Sequence, residues 1–315
     1  MGKRRRRGKV GGGGRGLREA IWFFEYLLAR ALFLAVRIVP FGLALGAGGM
    51  LGGFLYRIDK KHQGITTDNL RNSFNDMSRE EIDRTGRSVF RNLGYMAVEF
   101  IRSDRYGKGG LDRNFTLVNY KNFEKALSKG RGVLVLTAHC GNWEAMALAQ
   151  SILGPPLGIV ARPLDNPYLE EFVSRVRTRY GNAVINKTGG MKDVLRTLSS
   201  GRPVGILLDQ SVKREEGTFV DFFGRPACTN KGLALLAART KAPVVPVFAR
   251  RLGPDRHEIV VGDEIPLIET GDRDADISAN TQAYTKAIED FVRRYPDQWF
   301  WMHRRWKTKR IDADA

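Results

Sequence analysis

The sequence predicts an α/β fold, with a mostly parallel mixed central sheet flanked by helices and an N-terminal hydrophobic membrane-anchor segment. The run Gly132–Ala138 (GVLVLTA) is continuously apolar and of strand length, which is typical of a strand buried on both faces. Further apolar runs alternate with helical stretches, and such alternation favours a parallel sheet. These runs are Leu157–Ala161, Val204–Leu208, Val244–Ala249 and Glu258–Val261, and the helical stretches lie at about 143–152, 167–180, 189–200, 229–240 and 279–295.

A further helical stretch is predicted before the first of these strands, over residues 66–105. Ser78 is expected to cap a helix there, because Glu81 stands three residues later and completes a capping-box pattern.

Composition places the chain among globular proteins. It has 315 residues, of which 43% are apolar and 27% charged. Its two cysteines, Cys140 and Cys228, imply no disulfide framework and fit a reducing compartment. The four histidines lie far apart and the cysteines form no CxxC pair, so we expect neither a metal nor another cofactor.

The formal net charge of +18 is concentrated at the two ends of the chain. Residues 1–37 carry ten lysines and arginines against two acidic residues, and residues 293–310 carry seven against one. Charge of this kind suits nucleic acid, an anionic membrane surface or an acidic protein.

The N-terminal segment favours the membrane among these partners. Residues 1–16 (MGKRRRRGKVGGGGRG) form a basic, glycine-rich tail that we expect to be disordered. Residues 38–56 then run for 19 positions without a charge, about the length that spans a bilayer core. They also contain Pro40 and six glycines, which lower helix propensity.

Three interpretations of this apolar segment differ in what it contacts. A signal peptide is disfavoured, because the segment is too long and no small-residue cleavage site follows. A buried pair of core helices remains the alternative to a membrane anchor that spans the bilayer or lies in its interface. We expect the anchor over residues 17–58, a catalytic domain over 59–310 and a short tail over 311–315. The basic flank would keep the N-terminus cytoplasmic.

The candidate chemistry lies just after the predicted buried strand. His139 follows that strand, and Glu144 comes five residues on, after a turn at Cys140-Gly141-Asn142. In that geometry the carboxylate can accept a proton from one imidazole nitrogen, which leaves the other nitrogen free to deprotonate a hydroxyl. Strand ends are where open α/β sheets place their sites.

Two other interpretations of this segment stay open on the residues alone. His139 could be a structural histidine at a strand end. Cys140 could be a nucleophile, although a small buried cysteine is the more common case.

Five segments in order resemble the bacterial lipid A biosynthesis acyltransferases, the late or secondary acyltransferases that use acyl-carrier-protein thioesters. They are TAHCGNWE, ARPLDNPYLEEFVSRVRTRYG, GILLDQ, GTFVDFFGRPACTNKGLALLAARTKAPVVPVFARR and YPDQWFWMHRRWKTKR. The resemblance runs from about residue 17 to residue 310. It implies a glycerolipid-acyltransferase-like fold, with His139 as general base and Glu144 as its partner, at the cytoplasmic face of the bacterial inner membrane.

We further expect three polar residues to contact the substrate: Arg162, Asp209 and Asn142. Arg162 follows an apolar run, where a guanidinium can grip a phosphate with two hydrogen bonds. The alternative is an ion pair with Asp165 or Glu170. Asp209 also follows a buried strand, where a capping or turn role is the alternative.

One phosphate-binding motif of the glycerol-phosphate relatives is not kept. They carry Glu-Gly-Thr-Arg, whereas here Glu216-Gly217-Thr218 is followed by Phe219. The helix predicted to open near Thr229–Lys231 could direct its N-terminus toward an anion or an oxyanion, although an ordinary N-cap explains Thr229 equally well.

The aromatic and basic run Gln298–Lys307 (QWFWMHRRWK) allows three interpretations. Tryptophan and arginine suit a membrane interface, they suit stacking on nucleic-acid bases, and they also suit a packed C-terminal strand. We expect His303 in this run to be structural.

The resemblance therefore implies an enzyme that transfers a fatty acyl chain from an acyl-carrier-protein thioester to a hydroxyl of a lipid A precursor. One alternative is acylation of another glycolipid, such as a phosphatidylinositol mannoside, with acyl-CoA as donor. The alternative of another class is a basic nucleic-acid-binding protein, which is disfavoured because no recognised nucleic-acid motif accompanies the charge.

Overall fold

The structure is a computed structural model that describes residues 12–107 and 109–310. Its helices are α1 (Gly12–Ile38), α2 (Phe41–Ile58), α3 (Lys60–Arg71), α4 (Arg79–Ile101), α5 (Leu111–Asn114), α6 (Tyr120–Leu127), α7 (Trp143–Leu153), α8 (Pro167–Arg177), α9 (Met191–Ser199), α10 (Gly232–Thr240) and α11 (Arg273–Arg294). Its strands are β1 (Phe115–Val118), β2 (Val133–Thr137), β3 (Gly158–Ala161), β4 (Ala183–Asn186), β5 (Pro203–Leu207), β6 (Gly217–Phe222), β7 (Arg225–Asn230), β8 (Val244–Gly253) and β9 (Arg256–Val261).

Seven strands form one sheet in the order β1-β9-β8-β2-β5-β3-β4. All neighbours run parallel except β8 and β9, which form an antiparallel hairpin. This confirms the mostly parallel mixed sheet flanked by helices. A separate hairpin is formed by β6 and β7.

The central strand β2 divides the core into two halves. All five of its residues are buried. Leu134 and Leu136 belong to the apolar cluster on one face of the sheet, and Val133 and Val135 belong to the cluster on the other face. This alternation follows from the two-residue period of a strand and explains why the run is apolar at every position.

The elements that the sequence did not predict are short or polar. The five predicted strands are present as β2, β3, β5, β8 and β9, whereas β1, β4 and the β6–β7 hairpin were missed. β1 and β4 have only four residues each, and the two hairpin strands mix polar with apolar residues without a regular alternation. The helix expected from residue 229 begins at Gly232, because Thr229 and Asn230 end β7.

The helical prediction over residues 66–105 is confirmed in outline and its capping box in detail. Two helices, α3 and α4, cover most of it with a break between them. The Ser78 hydroxyl accepts from the Glu81 backbone N–H at 3.2 Å, and the Glu81 carboxylate accepts from the Ser78 backbone N–H at 2.8 Å. Both groups thereby satisfy N–H groups that a helix start leaves unpaired.

Glycine lets α2 pack tightly along α4 despite its low helix propensity. A Cβ atom on Gly52 would lie 2.2 Å from the carbonyl oxygen of Phe90, and one on Gly94 would lie 2.0 Å from that of Gly48. No other residue type fits at such a close helix crossing. Tertiary packing therefore offsets the propensity cost of these glycines.

The outer faces of α1 and α2 are apolar and exposed. Within the described residues, sixteen of the twenty-two exposed large hydrophobic side chains lie between positions 17 and 58. They are Leu17, Ile21, Phe23, Phe24, Leu27, Leu28, Leu32, Leu34, Ile38, Val39, Leu43, Met50, Leu51, Phe54, Leu55 and Ile58, and we call this surface the apolar face. In that part of the chain, one helix, Phe41–Ile58, is long and apolar enough to cross a bilayer.

The ends of the chain were predicted as tails. Helix α1 begins at Gly12, so its first turn includes residues of the predicted tail. The predicted disorder over residues 1–11 and the tail over residues 311–315 lie outside the described residues.

Candidate active site

His139 and Asp209 meet at the carboxyl edge of the sheet. Each follows a central strand, β2 or β5, and these strands are parallel with Thr137 opposite Leu207. The imidazole Nδ1 lies 2.8 Å from Oδ1 of Asp209, and the backbone N–H of His139 donates to Oδ2 at 3.1 Å. The ring is thus fixed through one nitrogen, and its Nε2 lies 3.5 Å from the side-chain amide nitrogen of Gln210.

Asp209 is buried as a carboxylate with several donors. Its side chain is 2% exposed, and the indole N–H of Trp299 also donates to Oδ2, at 2.8 Å. Burial would raise the pKa of Asp209, but the charge and hydrogen bonds of His139 and the bond from Trp299 lower it to about 2. The group is therefore ionised at neutral pH and accepts a hydrogen bond from Nδ1–H of His139.

His139 is tuned in the opposite direction by the same contact. Burial would lower its pKa, but the charge and hydrogen bond of Asp209, and then the charge of Glu144, raise the pKa above 6.5. The imidazole is 22% exposed, so Nε2 can be reached from outside. Above its pKa this histidine is a neutral base whose tautomer is held by a buried carboxylate.

Glu144 differs from its expected place. It lies in the first turn of α7, as predicted, but its carboxylate accepts two hydrogen bonds from Arg177, at 3.0 and 2.5 Å. The carboxylate that holds the His139 imidazole is Asp209, which the sequence analysis had expected at the substrate. The predicted pairing of Glu144 with His139 is thus replaced by a bidentate pair with α8, because Arg177 faces the start of α7.

The turn after His139 is shaped by a glycine and by the C-terminal run. Gly141 has φ of 55°, and a Cβ there would lie 2.4 Å from the carbonyl oxygen of Ala249. Its N–H donates to the carbonyl of Gln298 at 2.8 Å, and the N–H of Phe300 donates to the carbonyl of His139 at 3.0 Å. The segment 298–300 therefore lies along the turn and fixes it.

The aromatic run is part of the core, which differs from two of its three interpretations. Trp299, Trp301 and Trp306 are 1%, 0% and 6% exposed, so their rings meet neither a membrane nor nucleic-acid bases. The run forms no regular strand either, apart from an isolated bridge between Cys140 and Trp299. His303 has the expected structural contact, because its Nε2 accepts from the backbone N–H of Ser211 at 3.0 Å.

Asn142 is a capping residue whose side chain is buried inside the protein. It caps α7 by accepting from the N–H of Ala145 at 2.9 Å, and it donates to Glu99 at 2.7 Å. It is 1% exposed, and both of these hydrogen bonds join it to other parts of the protein. Glu99 in turn receives two hydrogen bonds from the buried guanidinium of Arg251. A buried ion pair thus holds the start of the helix that follows the turn after His139.

Glu99 of this ion pair also belongs to a group of described side chains that have the ligand atoms to bind a metal. Glu99, Asp255 and His257 bring their ligand atoms within 4.8 Å of one another. The guanidinium of Arg251 already neutralises Glu99, and a second cation there would meet its positive charge.

The remaining candidates from the sequence, Arg162, Thr229 and Cys140, have other contacts or are buried. Arg162 is 75% exposed and forms an ion pair with Asp165 at 3.0 Å, the alternative expected from the sequence. Thr229 is buried and accepts a hydrogen bond from Arg305. Cys140 is fully buried, and burial raises the pKa of its thiol well above the usual value, which disfavours a nucleophilic thiolate.

Comparison with known proteins places this geometry in context. The sequence model of the family described as bacterial lipid A biosynthesis acyltransferase matches residues 17–308. A lipid A biosynthesis acyltransferase of Haemophilus influenzae is 25% identical, over 93% of this chain and 89% of its own length. The lipid A biosynthesis palmitoleoyltransferase of Escherichia coli is 25% identical, over 90% and 91%. A phosphatidylinositol mannoside acyltransferase of Mycolicibacterium smegmatis is 27% identical, over 66% and 67%.

The Glu99→Gln variant should lose stability, because Arg251 would keep its charge in a buried site without a carboxylate. We expect a loss of about 3–5 kcal/mol in the free energy of unfolding at pH 7. The pKa of Glu99 is held at about 2, because hydrogen bonds and charges from Arg251 and His257 overcome the effect of burial. Its contribution is therefore complete above pH 4.5 and is lost as the pH falls toward 2.

Denaturant unfolding across this pH range measures both effects. The control is Glu171→Gln, which breaks an exposed ion pair with Arg175 and should cost no more than about 1 kcal/mol. Equal stability of the two variants would contradict the role given to the buried pair.

Proposed function

The chain belongs to the bacterial lipid A biosynthesis acyltransferase family and is an acyltransferase, and we propose that it transfers a fatty acyl chain from an acyl-carrier-protein thioester to a hydroxyl of a lipid A precursor. The observation that carries the proposal is the partly exposed His139 imidazole, bound through Nδ1 to the buried carboxylate of Asp209. That arrangement is the base and orienting group that acyl transfer to a hydroxyl requires.

In the proposed reaction, Nε2 of His139 takes the proton from the acceptor hydroxyl as its oxygen attacks the thioester carbonyl. A tetrahedral oxyanion forms, then collapses as the C–S bond breaks, and the thiolate leaves and can take the proton from the imidazolium. Asp209 keeps Nδ1–H in place and stabilises the positive charge on the ring. General-base catalysis of this kind contributes about 10²–10⁴-fold.

Glu144 is proposed as the second carboxylate of the site. Its charge contributes to the raised pKa of His139, although its oxygens are held by Arg177. The pair ties the first turn of α7 to α8, so the carboxylate is fixed close to the imidazole. Arg162 is proposed as a contact for an acceptor phosphate, because its exposed pair with Asp165 can open at little cost.

The apolar face supports attachment to a bilayer. Sixteen large apolar side chains, exposed on α1, on α2 and at Val39 between them, form a surface of a kind that soluble monomers rarely leave in water. The ten basic residues among positions 1–37 favour an anionic leaflet and a cytoplasmic N-terminus. We therefore propose the cytoplasmic face of the bacterial inner membrane as its location. An acidic acyl-carrier protein would be attracted to the same positive charge.

A different glycolipid acceptor is the second candidate. It is favoured by the similarity to a phosphatidylinositol mannoside acyltransferase over 66% of the chain. The base chemistry would be the same, and acyl-CoA would be the proposed donor.

The His139→Ala variant should lose acyl transfer by at least about 10²-fold while keeping the wild-type fold, because the general base is removed. The measurement is lipid mass spectrometry after expression in a bacterial strain that lacks its own late acyltransferases. Wild type should add one acyl mass to a lipid A precursor, or to another glycolipid if the second candidate holds.

Circular dichroism and thermal unfolding of the variant serve as the control for folding. The matched variant is Arg196→Ala, which removes an exposed residue paired with Asp193 outside the catalytic pair and should keep its activity within a few-fold. Full activity of His139→Ala would contradict the mechanism.

Membrane attachment should resist salt, because burial of the apolar face does not depend on charge. We expect the full-length protein to stay with washed membranes in 1 M salt, where charge–charge contacts are screened beyond about 3 Å, and to need detergent for release. Immunoblots of the soluble and pelleted fractions measure this. Release by salt alone would instead fit the basic nucleic-acid-binding alternative.

A further inference from the structure

A basic cavity opens beside the catalytic histidine. It has a volume of about 730 Å³. We call it the basic cavity, and its lining residues are Asp59, Lys61, His62, Ile65, Phe300, Met302, His303, Arg304 and Lys307. None of them belongs to the motif around His139 or to the positions expected to bind substrate.

Phe300 and His303 connect the basic cavity to the reacting groups. The ring of Phe300 has its centre 6.2 Å from that of the His139 imidazole, and its N–H donates to the His139 carbonyl. His303 accepts from the backbone N–H of Ser211, two residues after Asp209. A molecule in the basic cavity therefore lies one side chain away from the catalytic pair.

Three cations of the basic cavity are not neutralised. In residues 12–107 and 109–310, neither Lys61 nor Arg304 nor Lys307 forms an ion pair within 4 Å. Asp59, which lines the same cavity, bonds with His62 at 2.6 Å. All three cationic side chains are exposed, and like charges gathered at one cavity attract an anion strongly.

The other wall of the basic cavity is apolar and leads to the apolar face. Ile65, Phe300 and Met302 supply that wall. Asp59 follows directly after Ile58, an exposed apolar residue at the end of α2. An occupant that combines an anionic headgroup with hydrocarbon chains can satisfy both walls while its chains stay beside the bilayer.

We propose that the basic cavity binds a phosphate group on the headgroup of the acceptor glycolipid, through Lys61, Arg304 and Lys307. This assignment rests on the proposed function and adds a site for the acceptor that is separate from Arg162. A phosphate on a lipid headgroup can enter a cavity, whereas the carboxylates of an acidic carrier protein lie on a convex surface. The acceptor therefore fits the basic cavity better than the donor protein does.

The test removes the three charges together, as Lys61→Gln, Arg304→Gln and Lys307→Gln in one chain. The matched control removes three exposed lysines elsewhere, as Lys121→Gln, Lys125→Gln and Lys192→Gln. The probes are a phosphorylated lipid A precursor and the same precursor after phosphatase treatment, each assayed with saturating acyl-carrier-protein thioester.

We expect the triple variant to raise KM for the phosphorylated acceptor at least tenfold, with kcat within about threefold of wild type. Its KM for the dephosphorylated acceptor should match that of wild type. The control variant should behave as wild type with both acceptors, and circular dichroism should show that both variants are folded.

Two results would overturn the assignment: an unchanged KM for the phosphorylated acceptor, or a raised KM for the carrier-protein donor instead. Equilibrium binding of the two precursors in detergent micelles distinguishes failure of the basic-cavity assignment from failure of the proposed function. A wild type that shows no transfer, yet binds the phosphorylated precursor in a way the triple variant loses, would contradict the proposed reaction and support the basic cavity. A wild type that binds both precursors equally would contradict the basic cavity itself.

Discussion

The hydrogen bond between His139 and Asp209 depends on the parallel pairing of β2 and β5, and the rest of the site is arranged around it. Parallel neighbours end at the same edge of a sheet, so two residues seventy positions apart come within 2.8 Å. Burial disfavours the charged form of both groups, but each group stabilises the charge of the other. The pKa of the carboxyl therefore falls and the pKa of the imidazole rises. A one-strand change in sheet order would separate them and leave a buried carboxylate without its partner.

The same edge is held by contacts from distant parts of the chain. Trp299 completes the donor set of Asp209, and the adjoining backbone lies along the turn after His139. On the other side, Asn142 links the start of α7 to the ion pair of Glu99 with Arg251. These buried hydrogen bonds and the ion pair together hold the turn that follows His139 in one geometry.

Local patterns in the sequence predicted much of the fold, and long-range contacts set the limit. The GVLVLTA run and the Ser78–Glu81 capping box carry their own physical signals, and both are confirmed. The sequence analysis paired His139 with Glu144, whereas the structure pairs it with Asp209. A carboxylate five residues away is visible in the sequence, whereas the strand order that brings Asp209 close is not. The tryptophans of the C-terminal run were open to three interpretations for the same reason: their burial is decided by elements more than two hundred residues away, as the bond from Asn69 to the Trp301 carbonyl illustrates.

The protonation state of His139 tests the central claim most directly. The chain has four histidines, so nitrogen NMR of ¹⁵N-histidine protein in detergent, with His139→Gln to assign the signal, can follow this imidazole through a pH titration. The account predicts a pKa above 6.5 with the proton on Nδ1 in the neutral form, and a pKa below 6.5 in Asp209→Asn, where burial acts without the carboxylate. A titration that Asp209→Asn leaves unchanged and Glu144→Gln shifts downward would contradict it, and would return the role of partner to Glu144.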